Sequence, residues 1–236
     1  VTDGLQTLEA CGPFFAVERH KPGASPVAPW RPIRDLVDGD DALGDRIAAV
    51  RSVLATSARI SAESVELRVA GSVMQLGVVA RLLSPVLGFA AAVGRQLVFD
   101  VDSWWWQPEP GGAFPLSLPS TAFVAGPTDA GGGVRALDEV IAAIVAETRA
   151  ACGVSQALLW GNVASAINGA ARMVASTRPD LSDAVYAQAA SVAQRLRLHR
   201  SSTGPFGPEF RRRSCCLIYR TASSTPQAIC GDCVFT

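Results

Sequence analysis

Lysine is nearly missing from this chain of 236 residues: Lys21 stands alone beside 20 arginines. Histidine is almost as scarce, with only His20 and His199. Two imidazoles that far apart give no pair for a Rieske-type centre. No Gly-x-Gly-x-x-Gly follows a strand-like run, and Gly131-Gly132-Gly133 has no lysine after it. Direct use of a nicotinamide, a flavin or a nucleotide phosphate is therefore not expected. Neither charge is in excess, since 21 basic residues balance 21 acidic ones. The overall balance thus gives no reason to expect nucleic acid or an acidic membrane surface as a partner. The N-terminus carries no basic segment followed by an apolar core and a small-residue cleavage site, so no signal peptide is expected.

The longest charge-free run, Ala150 to Ala171, is interrupted by Gln156, Asn162, Asn168 and several glycines. A spanning helix is richer in large apolar residues, so this run reads as a buried helix, with membrane contact at most peripheral. Apolar residues make up 49% of the chain, enough for a globular protein with one substantial core. The expected fold class is α+β and mostly α-helical, a single domain over residues 1–236.

Residues 1–40, with Pro22, Pro26, Pro29 and Pro32, read as an arm laid over the core. A helical core with a small sheet follows over 41–200. Asp40 and Asp41 stand where an N-cap belongs, before Leu43, Ile47, Val50 and Leu54 at helical spacing. A second helix is expected from Ser61, restarting at Ser84-Pro85 and running to about Val93. Between about 96 and 118, Leu97 to Val101 and Ala113 to Leu118 read as two strands of an antiparallel hairpin or sheet. Ser120 to Gly133 reads as a loop. Three helices are then expected, over about Val134–Ala151, Ser155–Thr177 and Leu181–His199. A Pro- and Gly-containing linker leads into the terminal segment, 201–236.

That segment holds four of the six cysteines, Cys215-Cys216 and Cys230-Gly231-Asp232-Cys233. Such clustering is unlike a secreted disulfide scaffold and suits a reducing, cytoplasmic setting. Four thiolates gathered this closely serve a structural zinc or an iron–sulfur cluster. The Cys-x-x-Cys turn lets two sulfurs converge. The vicinal pair is awkward for zinc, because adjacent residues of an extended chain point to opposite sides. A [2Fe–2S] cluster is the favoured occupant, with zinc or disulfide chemistry as the other readings.

Arg211-Arg212-Arg213-Ser214-Cys215-Cys216-Leu217-Ile218-Tyr219-Arg220, closing on Cys230-Gly231-Asp232-Cys233-Val234, resembles the tail of FhuF-like ferric-siderophore reductases. Leu159-Trp160-Gly161-Asn162, Ala164-Ser165-Ala166 and Gly169-Ala170-Ala171-Arg172 are similar to that family's central helix, and Ala80 to Pro85 to another of its segments. The resemblance covers roughly Ser72 to Thr236. It implies a protein of the cytoplasm or the inner membrane face that passes one electron from a [2Fe–2S] cluster, held by Cys215, Cys216, Cys230 and Cys233, to siderophore-bound Fe³⁺. The ferric siderophore and an external donor such as a ferredoxin are the implied partners. No acid, base or nucleophile is required beyond the cluster ligands. Two other classes remain beside this one: a binding module stabilised by zinc or a cluster, and an iron or redox sensor.

Arg211, Arg212, Arg213 and Arg220 flank the cysteines and are candidates for electrostatic tuning or substrate attraction. Trp105, within Trp104-Trp105-Trp106, is a candidate for an aromatic wall against a bulky ligand, although strand alternation puts at least one of the three in the core. Asn162 and Ser165 are candidates for buttressing the cysteine loop from the uncharged helix.

Overall fold

The computed structural model describes residues 2–38, 41–123, 130–221 and 230–233. Among the described residues, six α-helices pack together in an α+β fold with two small sheets. The centre is α3 (Leu67–Val93), which packs against α1 (Thr2–Ala10), α2 (Ala42–Ala58), α4 (Ala130–Cys152), α5 (Gln156–Thr177) and α6 (Ser182–Arg195). Its sequence explains the position: Val, Leu, Ala and Gly surround the whole circumference, and a helix apolar on all sides belongs in the interior. By length and composition α3 is also apolar enough to cross a membrane, and 72% of its most apolar window is buried within the fold.

The expected break at Ser84-Pro85 does not occur; α3 runs through it. Pro85 contributes no N–H to the carbonyl four residues back, a loss of about 3 kcal/mol in a helix interior. The buried environment of both flanking turns overrides it, and the Ser84 hydroxyl turns back onto the Ala80 carbonyl at 2.6 Å. The helix ends at Gly94, whose φ of 70° the absence of a Cβ makes easy.

The helices α2, α4, α5 and α6 lie where the pattern places them, with ends shifted by a few residues. Asp41 occupies the cap position of α2 without a side-chain bond, while Asp40 is outside the described residues. Ser155 does cap α5, accepting from the Leu158 amide at 3.3 Å. The loop expected from Ser120 to Gly133 is a short 3-10 turn over Ser120–Phe123, then residues outside the described set, and then the first turn of α4, which includes Gly131 to Gly133.

The N-terminal segment is not a loose arm. It supplies α1, β1 (Glu18–His20) and β2 (Arg31–Pro32). Their partners are β3 (Trp105–Trp106) and β4 (Leu116–Pro119), in the order β1-β4-β3-β2. The expected antiparallel pairing is present at β4, but its partner is Trp105–Trp106 and not Leu97 to Val101, and β1 joins β4 in parallel, so the sheet is mixed. Leu97 to Val101 stays outside the ladder: the Val98 amide donates to the Ala122 carbonyl, and the carbonyls of Asp100 and Val101 accept from the Trp104 and Arg34 amides. Arg81, 2% exposed, fastens α3 to this region: its three nitrogens donate to the carbonyls of Phe114, Phe14 and Ala16 at 2.7, 2.8 and 2.6 Å. A second sheet, β5 (Ser202–Thr203) with β6 (Arg211–Arg212), begins the cysteine segment.

Candidate metal centre

Residues 217–229 separate the two cysteine pairs in sequence, and β6 joins them. On one side Ser202 and Thr203 pair with Arg212 and Arg211 in the antiparallel ladder. On the other, the Arg212 amide donates to the Asp232 carbonyl at 3.1 Å. The Cys230–Cys233 turn therefore lies beside the strand that leads straight into Cys215 and Cys216. The Cys233 amide closes that turn onto the Cys230 carbonyl at 3.0 Å.

The vicinal pair escapes the alternation of an extended strand. Leu217 adopts a left-handed conformation with φ of 68°, and its amide donates to Cys215 Sγ at 3.3 Å. The Cys216 carbonyl is taken by the Ser72 hydroxyl of α3 at 2.8 Å. Cys216 and Cys233 are buried, Cys215 and Cys230 half-buried.

The thiols sense one another. A hydrogen bond from Cys230 brings Cys216 down to about 6, helped by the Ile218 amide and the Arg212 charge against the opposing effect of burial. Cys230, as the donor, is pushed up, and burial adds to the shift. Burial raises Cys215 as well, and negative charge on Cys216 or Cys233 would raise it further. Cys216 and Cys230 therefore titrate as one interacting pair, with a proton shared between them. No disulfide joins the cysteines; all six are thiols. Among the described residues, no three His, Cys, Asp or Glu side chains already stand together as a ready-made metal cage.

The face of α5 turned toward this segment carries Leu158, Asn162, Ser165, Asn168 and Arg172, spaced three or four residues apart as one helix face requires, with Gly161 beside Asn162. Ser165 Oγ donates to Asp232 at 2.7 Å, and Asn168 Nδ2 to its other oxygen at 3.2 Å; Arg172 approaches to 3.8 Å. The carboxylate between the last two cysteines is therefore pinned to α5. Asn162 Nδ2 donates to the Ser72 carbonyl and hydroxyl and to Gln75 Oε1 at 3.0, 3.1 and 2.9 Å. Gly161 lets the tail lie close: a Cβ there would stand 2.2 Å from Ser214 Oγ.

Arg212 is the singular feature. It is 2% exposed, and its Nη2 donates to Asn162 Oδ1 and, at 3.5 Å, to the Leu158 carbonyl. Nε and Nη1 are buried and have no hydrogen-bond partner, and among the described residues no carboxylate pairs with the group. Its charge favours the thiolate forms of Cys215, Cys216 and Cys230. A buried guanidinium with an open edge beside a thiol cluster is the surrounding an anionic, sulfur-rich occupant needs. By donor type and charge the four cysteines fit a thiolate-ligated iron–sulfur group.

The other flanking arginines are engaged elsewhere. Arg211 donates to the Pro208 and Phe210 carbonyls, Arg213 to the Ser202 carbonyl, and Arg220 forms an ion pair with Glu66 at 2.8 Å. Trp105 is 6% exposed and stacks on His20 with ring centroids 3.6 Å apart. Trp104 and Trp106 are fully buried, so the three tryptophans form core and no open aromatic wall. Asn162 and Ser165 do buttress the segment. Ser72, Gln75, Asn168 and Asp232 join this network without a motif that marks them in the sequence; the three-residue spacing of Asn162, Ser165 and Asn168 in an uncharged helix is the available signal. The chain matches no protein-family model, no curated protein and no solved structure.

Proposed function

We propose that this chain is an iron–sulfur oxidoreductase, a ferric-siderophore reductase of the cytoplasmic side, in which Cys215, Cys216, Cys230 and Cys233 hold a [2Fe–2S] cluster. The observation that carries the reading is the Cys230–Cys233 turn laid beside the strand that leads into Cys215 and Cys216, next to a buried guanidinium with two unpartnered nitrogens. The resemblance of the tail and of the α5 segment to FhuF-like proteins supplies the substrate class. When bound, the cluster supplies one electron, which reduces siderophore-held Fe³⁺ to Fe²⁺ and leaves the cluster oxidised; an external donor such as a ferredoxin restores it. Hard oxygen ligands hold Fe²⁺ far more weakly than Fe³⁺, so the reduced iron is released.

The chain's own residues prepare the site. Ser165 and Asn168 fix the Cys230–Cys233 turn through Asp232, Ser72 fixes the vicinal pair through the Cys216 carbonyl, and Arg212 offsets negative charge from within the fold. The test is an absorption spectrum of anaerobically purified protein, followed by addition of a ferric hydroxamate to the dithionite-reduced form. Visible bands that bleach on reduction and return as ferrous iron appears are expected. Bands that stay bleached with every ferric complex move the function to sensing. A colourless protein that holds zinc even after iron and sulfide reconstitution makes the domain a metal-stabilised binding module. Cys230→Ser should abolish both the bands and the reduction; full activity in that variant would sink the mechanism.

A further inference from the structure

Resting on the cluster reading above, we infer that Arg212 is the positioning residue that sets the site's reduction potential, with its open Nε–Nη1 edge donating N–H···S hydrogen bonds to the sulfur-rich occupant. Three observations lead there. The guanidinium is buried, so its charge is only weakly screened by water. Nε and Nη1 lack partners although both are secluded, and a buried donor left unpaired is unfavourable. The remaining nitrogen, Nη2, is anchored on Asn162, which is itself held by Ser72 and Gln75 of α3, so the open edge cannot turn away to find another acceptor.

A thiolate-ligated cluster is net negative and becomes more so on accepting an electron. Hydrogen bonds to its sulfurs and a nearby positive charge therefore favour the reduced form and raise the potential. Among the four arginines flanking the cysteines, this role separates Arg212 from Arg211, Arg213 and Arg220, which bond backbone carbonyls and Glu66. Arg212 also links the potential to α3 and α5: whatever shifts Asn162 shifts the guanidinium and, through it, the electron affinity of the site.

The experiment is a dye-mediated potentiometric titration of the full chain, reconstituted anaerobically, after iron and sulfide content have been measured. Arg212→Gln should lower the midpoint so that the reduced-to-oxidised ratio at a fixed potential falls about tenfold, about 59 mV for a one-electron couple. Arg212→Lys, which keeps the charge and loses the fork, should fall between that variant and wild type. Asn162→Asp leaves Arg212 in place and sets a carboxylate against Nη2; it should shift the midpoint downward as well, and it carries the test if Arg212→Gln does not fold. Arg34→Gln removes the same charge from a surface ion pair and should leave the midpoint unchanged. Unaltered midpoints in the folded Arg212 and Asn162 variants with full cluster content would overturn this assignment and leave the reductase reading intact. A wild-type chain that takes up no iron and sulfide would overturn the cluster reading first, and this role with it.

Discussion

Arg81 and Arg212 are both buried guanidinium groups, and the two ends of the molecule use them differently. Arg81 joins α3 to the N-terminal segment and the run into β4, and each of its nitrogens has a backbone carbonyl. Arg212 joins the cysteine segment to α5 through one nitrogen and leaves two without partners. Arg46 lies between them: it donates to the Glu109 and Gly111 carbonyls, keeps an unpartnered Nε, and lines a cavity of about 60 Å³ with Trp106 and Glu109. A polar group that is complete within the fold serves the fold. One left incomplete in a secluded place calls for a partner beyond the polypeptide, such as a water or a bound group.

The sharpest test of this contrast is stability in metal-free protein. Arg81→Met strands three carbonyls and should cost at least about 3 kcal/mol, read from urea denaturation. Arg212→Met removes an uncompensated charge and should lie within about 1 kcal/mol of wild type. Equal costs would break the comparison. Asp232→Asn presents an amide to donors on Ser165 and Asn168, and should cost about 1–2 kcal/mol. Faster alkylation of Cys230 and Cys233 in the metal-free variant would locate that loss in the turn.

Gly161→Ala probes how closely the tail lies on α5. The new methyl displaces Ser214 Oγ from the Ala157 carbonyl it reaches at 3.3 Å, against a gain in helix propensity of about 1 kcal/mol. A net change in stability below about 1 kcal/mol is expected, with slower cluster loading as the larger effect. The smallest effect belongs to the surface at the opposite region. Arg34, by hydrogen bonding, holds Asp102 below its ordinary range. A carboxylate depressed in the folded state adds stability that is complete above its unfolded pKa of about 3.9 and lost as pH falls through the folded value. Both groups are exposed, so the contribution should be slight and should vanish in high salt. Acid titration of wild type against Arg34→Gln at low and high salt checks it.

Much of the helical framework was legible because local signals agreed. Ser155 before α5, Gly153 and Pro179 as separators, and apolar spacing from Leu43 to Leu54 each report on a few neighbouring residues. Legibility failed where distant contacts outweighed local preference. Pro85 promised a break, and burial of α3 on all sides overrode it. The prolines of residues 1–40 suggested an arm laid over the core, yet strands of two and three residues there complete the mixed sheet, too short to leave a periodic trace. Of the candidate site, the cysteines and two α5 residues were visible, whereas Arg212 could not be told from its neighbours in a run of three.

The sequence alone determined the chemistry available to this protein: four soft ligands in one short tail, almost no histidine or lysine, and a charge-free helix with polar residues at three-residue spacing. Residue type and near spacing are local properties, and they survive without a fold. Only the tertiary structure decided which arginine is buried, which carboxylate is pinned, and how two cysteine pairs meet across β6. Those outcomes depend on which surfaces exclude water from which polar groups, and that is settled when helices and strands distant in the chain pack together.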